Sequence, residues 1–215
     1  PEYRTVTRIP RDTDTVEKIY LHTLPHLANA TLLRHHLTTE PFREGLPLSA
    51  VWIQRLRIDP QQKLLLVLTT AYFHHLRSRF NEAADPRTLV DELPMNIMVC
   101  STGEWRSFDH EWSTSFPIDA SFIFFRGLFY FFQHARHILR ALYRTEQSCT
   151  LQTVLERCAA AAGLELSLNL EQYIDLEEQI QETALATRKG ITTRDFLRLR
   201  MFPPRASGPH RWERR

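Results

Sequence analysis

A chain of 215 residues, 43% apolar and 24% charged, is long and apolar enough to bury a sizeable core, which excludes disorder throughout and makes one main domain the expectation. Its 27 basic and 25 acidic residues leave a net charge of +2, a near balance that argues against nucleic acid or an anionic membrane as the main partner. The cysteines Cys100, Cys149 and Cys158 are odd in number and lack C-x-x-C spacing, which argues against a disulfide framework and a thiolate metal site and fits a reducing, cytoplasmic location.

No charged-then-apolar leader opens the chain, and Pro1 stands where a Met would start an open reading frame, so the sequence reads as part of something longer. Residues 3–9 and 15–21 alternate β-formers with polar residues around a turn-like 11–14, which predicts a hairpin whose second strand carries Lys18. Residues 27–37 repeat apolar positions at helical spacing, and Pro41 and Gly45 then mark a loop. A helix is expected from about Ser49. Pro60 breaks it, and a long helix over 61–80 follows, with Leu64, Leu68, Ala71, Phe73 and Leu76 at core intervals.

The period switches after the polar run 81–87. Residues 96–100 and 104–108 read as two short strands around Ser101-Thr102-Gly103, a second hairpin. Helical spacing returns over 121–143, where the intensely apolar 122–132 is cut by Arg126 and falls short of the ~20 residues of a membrane span, so it reads as a buried helix. Helices over 151–162, stopped by Gly163, and over 171–186 complete the pattern, and the Pro- and Arg-rich 201–215 reads as a disordered basic tail. The order of elements predicts an α+β fold. The expected division is a small β-rich lobe and hinge over 1–48, a helical large lobe carrying the acidic hairpin over 49–200, and the tail.

Asp91 lies five residues before Asn96, and Asp109 thirteen after it, at the end of a strand that returns alongside the first. A hairpin therefore brings Asp109 back towards Asn96, and two carboxylates with one amide oxygen are hard ligands suited to Mg²⁺. Phosphoryl transfer uses such a set: one acid to position a hydroxyl, and an Asn and a second Asp to hold the metal. Singly, Asp91 and Asn96 are ordinary turn residues, and Lys18 an ordinary solvated strand lysine; the joint spacing carries the signal. The paired histidines 35–36 and 74–75 point to different helix faces, and only His134 and His137 have a spacing that could share an ion. Trp105 and Trp112 read as packing for the hairpin.

Val90-Asp91-Glu92-Leu93-Pro94-Met95-Asn96-Ile97-Met98-Val99, followed by Phe108-Asp109-His110-Glu111-Trp112, resembles the catalytic loop and metal-binding strand of the aminoglycoside and choline kinase-like phosphotransferases. The resemblance implies a protein-kinase-like fold with a reduced small lobe and a mainly helical large lobe. It makes Asp91 the catalytic acid/base, Asn96 and Asp109 metal ligands, and Glu111 a support. Lys18 is similar to the family's phosphate-contacting lysine, and residues 42–48, with Glu44, look like the hinge beside the nucleotide. ATP and Mg²⁺ are the implied cofactors, and a hydroxyl-bearing small molecule or glycan the implied acceptor.

The same motifs, with the apolar 122–128, are similar to C-terminal regions of bacterial methyltransferases and glycosyltransferases of surface-polysaccharide assembly, which can carry a kinase-like module. In this chain Leu89 stands where the phosphotransferases usually have His, no Gly-rich phosphate loop is present, and Glu40 is the nearby carboxylate for Lys18. These departures point to an alternative, a catalytically degenerate scaffold module. In a third reading the acidic hairpin is structural and the chain an interaction domain.

Overall fold

A computed structural model of the chain describes residues 5–8, 15–20, 32–35, 39–41, 44–146, 148–185 and 191–201. Strands and helices are mixed but segregated, and every strand pairing is antiparallel. Strands β1 (Thr5–Arg8) and β2 (Thr15–Tyr20) form the expected front hairpin, and β4 (Thr39–Pro41) adds to the other edge of β2. The turn expected at 11–14 lies outside the described residues. Strands β6 (Ile97–Val99) and β7 (Trp105–Ser107) form the second hairpin with Ile97 opposite Ser107, and the two-residue β5 (Leu46–Pro47) pairs with β6.

One expectation is corrected. Part of the helix expected over 27–37 is a strand: Leu33–His35 forms β3, paired with β8 (Trp112–Thr114) with Leu33 opposite Thr114. A short apolar run fits a buried strand as well as a helix face, and the unpaired edge of β8 decides between them. The rest of that stretch, 27–31 and 36–37, lies outside the described residues, as does the tail 202–215.

The helices follow the sequence pattern closely. Helix α1 spans Leu48–Ile58 and α2 Gln62–Glu82, with the break at Pro60 between them. The buried stripe of α2 is Leu65, Leu68, Thr69, Tyr72, Phe73 and Leu76; Ala71, expected inside, is exposed, and Leu64 is half-buried. Helix α3 (Ala120–Leu142) is the centre of the core. Asp119 caps it by accepting the Phe122 N–H at 2.7 Å, so one of the orphan donors of the first turn is met. Its buried phenylalanines pack against α1, α2 and α4 (Leu151–Ala161), with edge-on contacts such as Phe131 to Trp52 at 5.0 Å. Gly163, at φ 78°, ends α4 as expected. Helix α5 (Leu170–Leu185) lies against α3, and a short α6 (Thr193–Leu197), not legible in the sequence, closes the described chain.

One close approach links this core to the site. Tyr72 of α2 crosses α3 at Gly127, where a Cβ would collide with the tyrosine ring. The absence of that Cβ lets the Tyr72 hydroxyl reach through and donate to the Glu92 backbone carbonyl at 2.7 Å. No helix among the described residues is long and apolar enough to cross a membrane.

Candidate functional site

The loop entering the hairpin starts as a 3₁₀ turn, Pro86–Asp91, capped by Asp85, whose carboxylate accepts the Arg87 N–H. Leu89 and Val90 are buried and anchor it. The chain then closes on itself: the Leu93 N–H reaches the Asp91 carbonyl at 2.6 Å, and the Asn96 side-chain amide donates to the same carbonyl at 3.0 Å. The Pro94 carbonyl accepts the Ser49 N–H at 2.9 Å, tying the loop to the first turn of α1. The Phe108 N–H donates to the Asn96 carbonyl at 2.9 Å, so the residue before Asp109 lies against Asn96. Asn96 thus bonds the backbone of Asp91 and of Phe108, the residue before Asp109.

The side chains of the two acids lead to different partners. The Asp91 carboxylate accepts Arg126 Nη1 at 2.8 Å, and the same Arg126 donates from Nε to Glu177 of α5 at 2.8 Å. Tyr130 and Gln181 also donate to Glu177, at 2.8 and 2.9 Å, and Arg126 reaches the Val90 carbonyl as well. The result is a buried network in which Arg126 bridges the loop to two helices. Burial pulls the Arg126 pKa down, but the Glu177 and Asp91 carboxylates outweigh it and hold the value above its ordinary range, so the guanidinium stays charged. Burial and then Glu177 push the Tyr130 hydroxyl up, which keeps it a donor.

Asp109 adopts the left-handed region at φ 65°, the one described non-glycine residue to do so. Its N–H and that of His110 converge on the two carboxylate oxygens of Glu40, at 2.6 and 2.9 Å. Glu40, on β4, therefore bolts the front sheet to the end of the hairpin. Glu111 makes a second such link, with Oε2 3.2 Å from Nε2 of His35 on β3, while the His35 ring stands edge-on to Trp112 at 4.4 Å.

A third acid, Glu92, was not singled out by sequence reasoning. Its side chain is fully buried and meets His75 Nε2 at 2.9 Å, the Ser107 hydroxyl, Arg79 Nε at 3.5 Å and His110 Nε2 at 3.6 Å. Burial raises its pKa, but the hydrogen bonds from His75 and Ser107, with the charges of His110 and Arg79, outweigh burial and hold the carboxyl below its usual range. Beside this cluster opens a cavity of about 470 Å³ lined by residues of α2, β4 and β7 together with His110.

The remaining expected site residues are not gathered here. Lys18 sits on β2 opposite Thr7, and Glu44 is exposed just before Gly45. Phe42 and Arg43 of the expected hinge lie outside the described residues. His134 and His137 bond separately, to the Tyr130 carbonyl and to Arg57. Among the described residues, no three or more His, Cys, Asp or Glu side chains are grouped to hold a metal ion. Asn96 and Asp109 supply oxygen donors of the hard type that suits Mg²⁺. Compared with family models, curated proteins and solved structures, the chain matches none of the three.

Proposed function

We propose that the chain is a kinase-like module that binds a nucleoside triphosphate with Mg²⁺ through Asn96 and Asp109 but does not transfer the phosphate, serving as a scaffold for an attached methyltransferase or glycosyltransferase. The observation that carries the non-transferring part is the pairing of Asp91 with Arg126 at 2.8 Å, with side-chain exposures of only 12% and 9%. Arg126 occupies one of the two carboxylate oxygens, Oδ1, and holds the side chain in a nearly buried ion pair. That engagement fixes the carboxylate towards the core and leaves it fewer lone pairs for a hydroxyl proton. The kinase-like part rests on the motif resemblance and on the hydrogen bonds that join Asp91, Asn96 and Phe108 through the backbone.

One observation favours an active phosphotransferase instead. Arg126 engages Asp91 through Oδ1, which leaves Oδ2 to orient a hydroxyl of a small molecule or glycan. Thermal unfolding with Mg²⁺ and ATP, paired with a labelled-phosphate transfer assay, separates the readings. Binding at a hundredfold excess over Kd stabilises the fold by about 2.7 kcal/mol, and Asp109→Asn removes that gain. Stabilisation without transfer supports the scaffold, transfer supports the enzyme, and no stabilisation overturns both.

A further inference from the structure

The cavity beside Glu92 has a lining that discriminates between ligand chemistries. Arg79, Arg106 and His110 carry hydrogen-bond donors and Glu40 and Glu104 acceptors; Arg106 and Glu104 pair with each other at 2.8 Å, and the Glu40 oxygens already accept the Asp109 and His110 N–H groups, so a ligand shares these groups through their remaining donors and lone pairs. The lining sets two guanidiniums, Arg79 and Arg106, against two carboxylates, Glu40 and Glu104. An oxyanion placed here would face Glu40 and Glu104, and an ammonium would face Arg79 and Arg106, so either meets repulsion along with attraction. A hydroxyl group both donates and accepts, so a ligand rich in hydroxyls uses both halves of this lining at once.

Three further observations bear on the ligand. Trp105 is half-buried, tilted against His75 at 5.4 Å, and also lines the cavity, giving a flat apolar wall among otherwise polar groups. A polyol ring has that division, with C–H faces and a hydroxyl rim. Arg79 is placed without being clamped: it stands 3.5 Å from Glu92, and its buried Nε has no hydrogen-bond partner. The volume, about 470 Å³, falls within the range of small-ligand pockets.

We infer that this cavity is a binding site for a neutral sugar, with Trp105 under the ring and Arg79, Arg106, Glu40 and Glu104 around its hydroxyls. The inference goes beyond the nucleotide reading and does not depend on it, because its residues are other than Asp91, Asn96 and Asp109 and its ligand carries no phosphate.

The test is a two-dimensional NMR titration of the full ¹⁵N-labelled chain with glucose, galactose, mannose and N-acetylglucosamine, and separately with inorganic phosphate and with putrescine. Saturable shifts of the Trp105 indole and of the Arg106 and Ser107 amides with at least one sugar are expected. Trp105→Ala should weaken that binding about tenfold, and Trp105→Phe should restore most of it. Should Trp105→Ala fail to fold, Arg106→Met, at an exposed position, should weaken it instead. Shifts with phosphate or putrescine but with no sugar, or no shifts with any probe, overturn the assignment. A sugar response unaccompanied by any Mg²⁺ and ATP response leaves the cavity in place and removes the nucleotide reading.

Discussion

Arg126 lies 2.8 Å from the Asp91 carboxylate while its Nε is held equally close by Glu177, so the loop that carries the candidate acid is fastened to the core through one guanidinium. Replacing Arg126 by Met leaves both carboxylates nearly buried without their cation. The expected loss is about 3–5 kcal/mol, read as a shift of the urea midpoint at constant slope. Adding Glu177→Gln and Asp91→Asn to Arg126→Met should recover part of it, because the buried charges go with the cation. A loss below about 1 kcal/mol for the single change would show that Arg126 is not holding the loop.

Glu92 sets an acid limit to stability. Its folded pKa is lowered, so its contribution is full above the unfolded value near 4.5 and is lost as pH falls through the folded value. Stability measured from pH 6 down to pH 3 should therefore fall more steeply in the native chain than in Glu92→Gln. At pH 7 that variant should be less stable by about 1–3 kcal/mol, through weakened hydrogen bonds to His75 and Ser107. Parallel pH profiles for the two proteins would contradict the assignment.

Gly127→Ala should lower the melting temperature, because the new methyl meets the ring and hydroxyl of Tyr72, a fully buried side chain held by the Glu92 carbonyl. Overpacking of this kind costs about 1–3 kcal/mol. Backbone amide shifts should spread to Glu92, which Tyr72 holds from 2.7 Å; shifts confined to α2 and α3 would count against that coupling.

Asp109→Gly separates backbone from side chain. Left-handed backbone costs an L-residue about 1–2 kcal/mol, and glycine removes that strain while keeping the N–H that donates to Glu40. The variant should be at least as stable as the native chain in the absence of ligand, yet lose any stabilisation by Mg²⁺ and ATP. Unchanged stabilisation would exclude the Asp109 carboxylate as a metal ligand.

Both hairpins and the long helices were legible because their signals are local: period-two alternation, Gly103 at a turn, Pro60 at a break, Gly163 at a helix end. Strand β3 was not, since three residues carry no usable period and their pairing with β8 joins positions about eighty residues apart. The site divides in the same way. The closure of Asp91 on Asn96 follows from spacing, whereas the partners of the acids come from distant helices and strands. A signal for one of them was present. Glu177 falls in step with Tyr173, Ile174 and Ile180 on the apolar stripe of α5, as Arg126 does among the phenylalanines of α3, and two opposite charges on buried faces invite pairing. Glu92 and Glu40 gave no comparable hint, because loops and edge strands place carboxylates freely.

The Glu40 carboxylate bears on where this protein tolerates being cut. A truncation at the start of α1 keeps every helix among the described residues, but it strips the Asp109 and His110 amides of their acceptor and removes β3 from the flank of β8. The shortened product would carry unsatisfied donors next to a bare strand edge, a combination that recruits other chains. Self-association, with the far-ultraviolet helical signal intact, is the behaviour to look for in such a product.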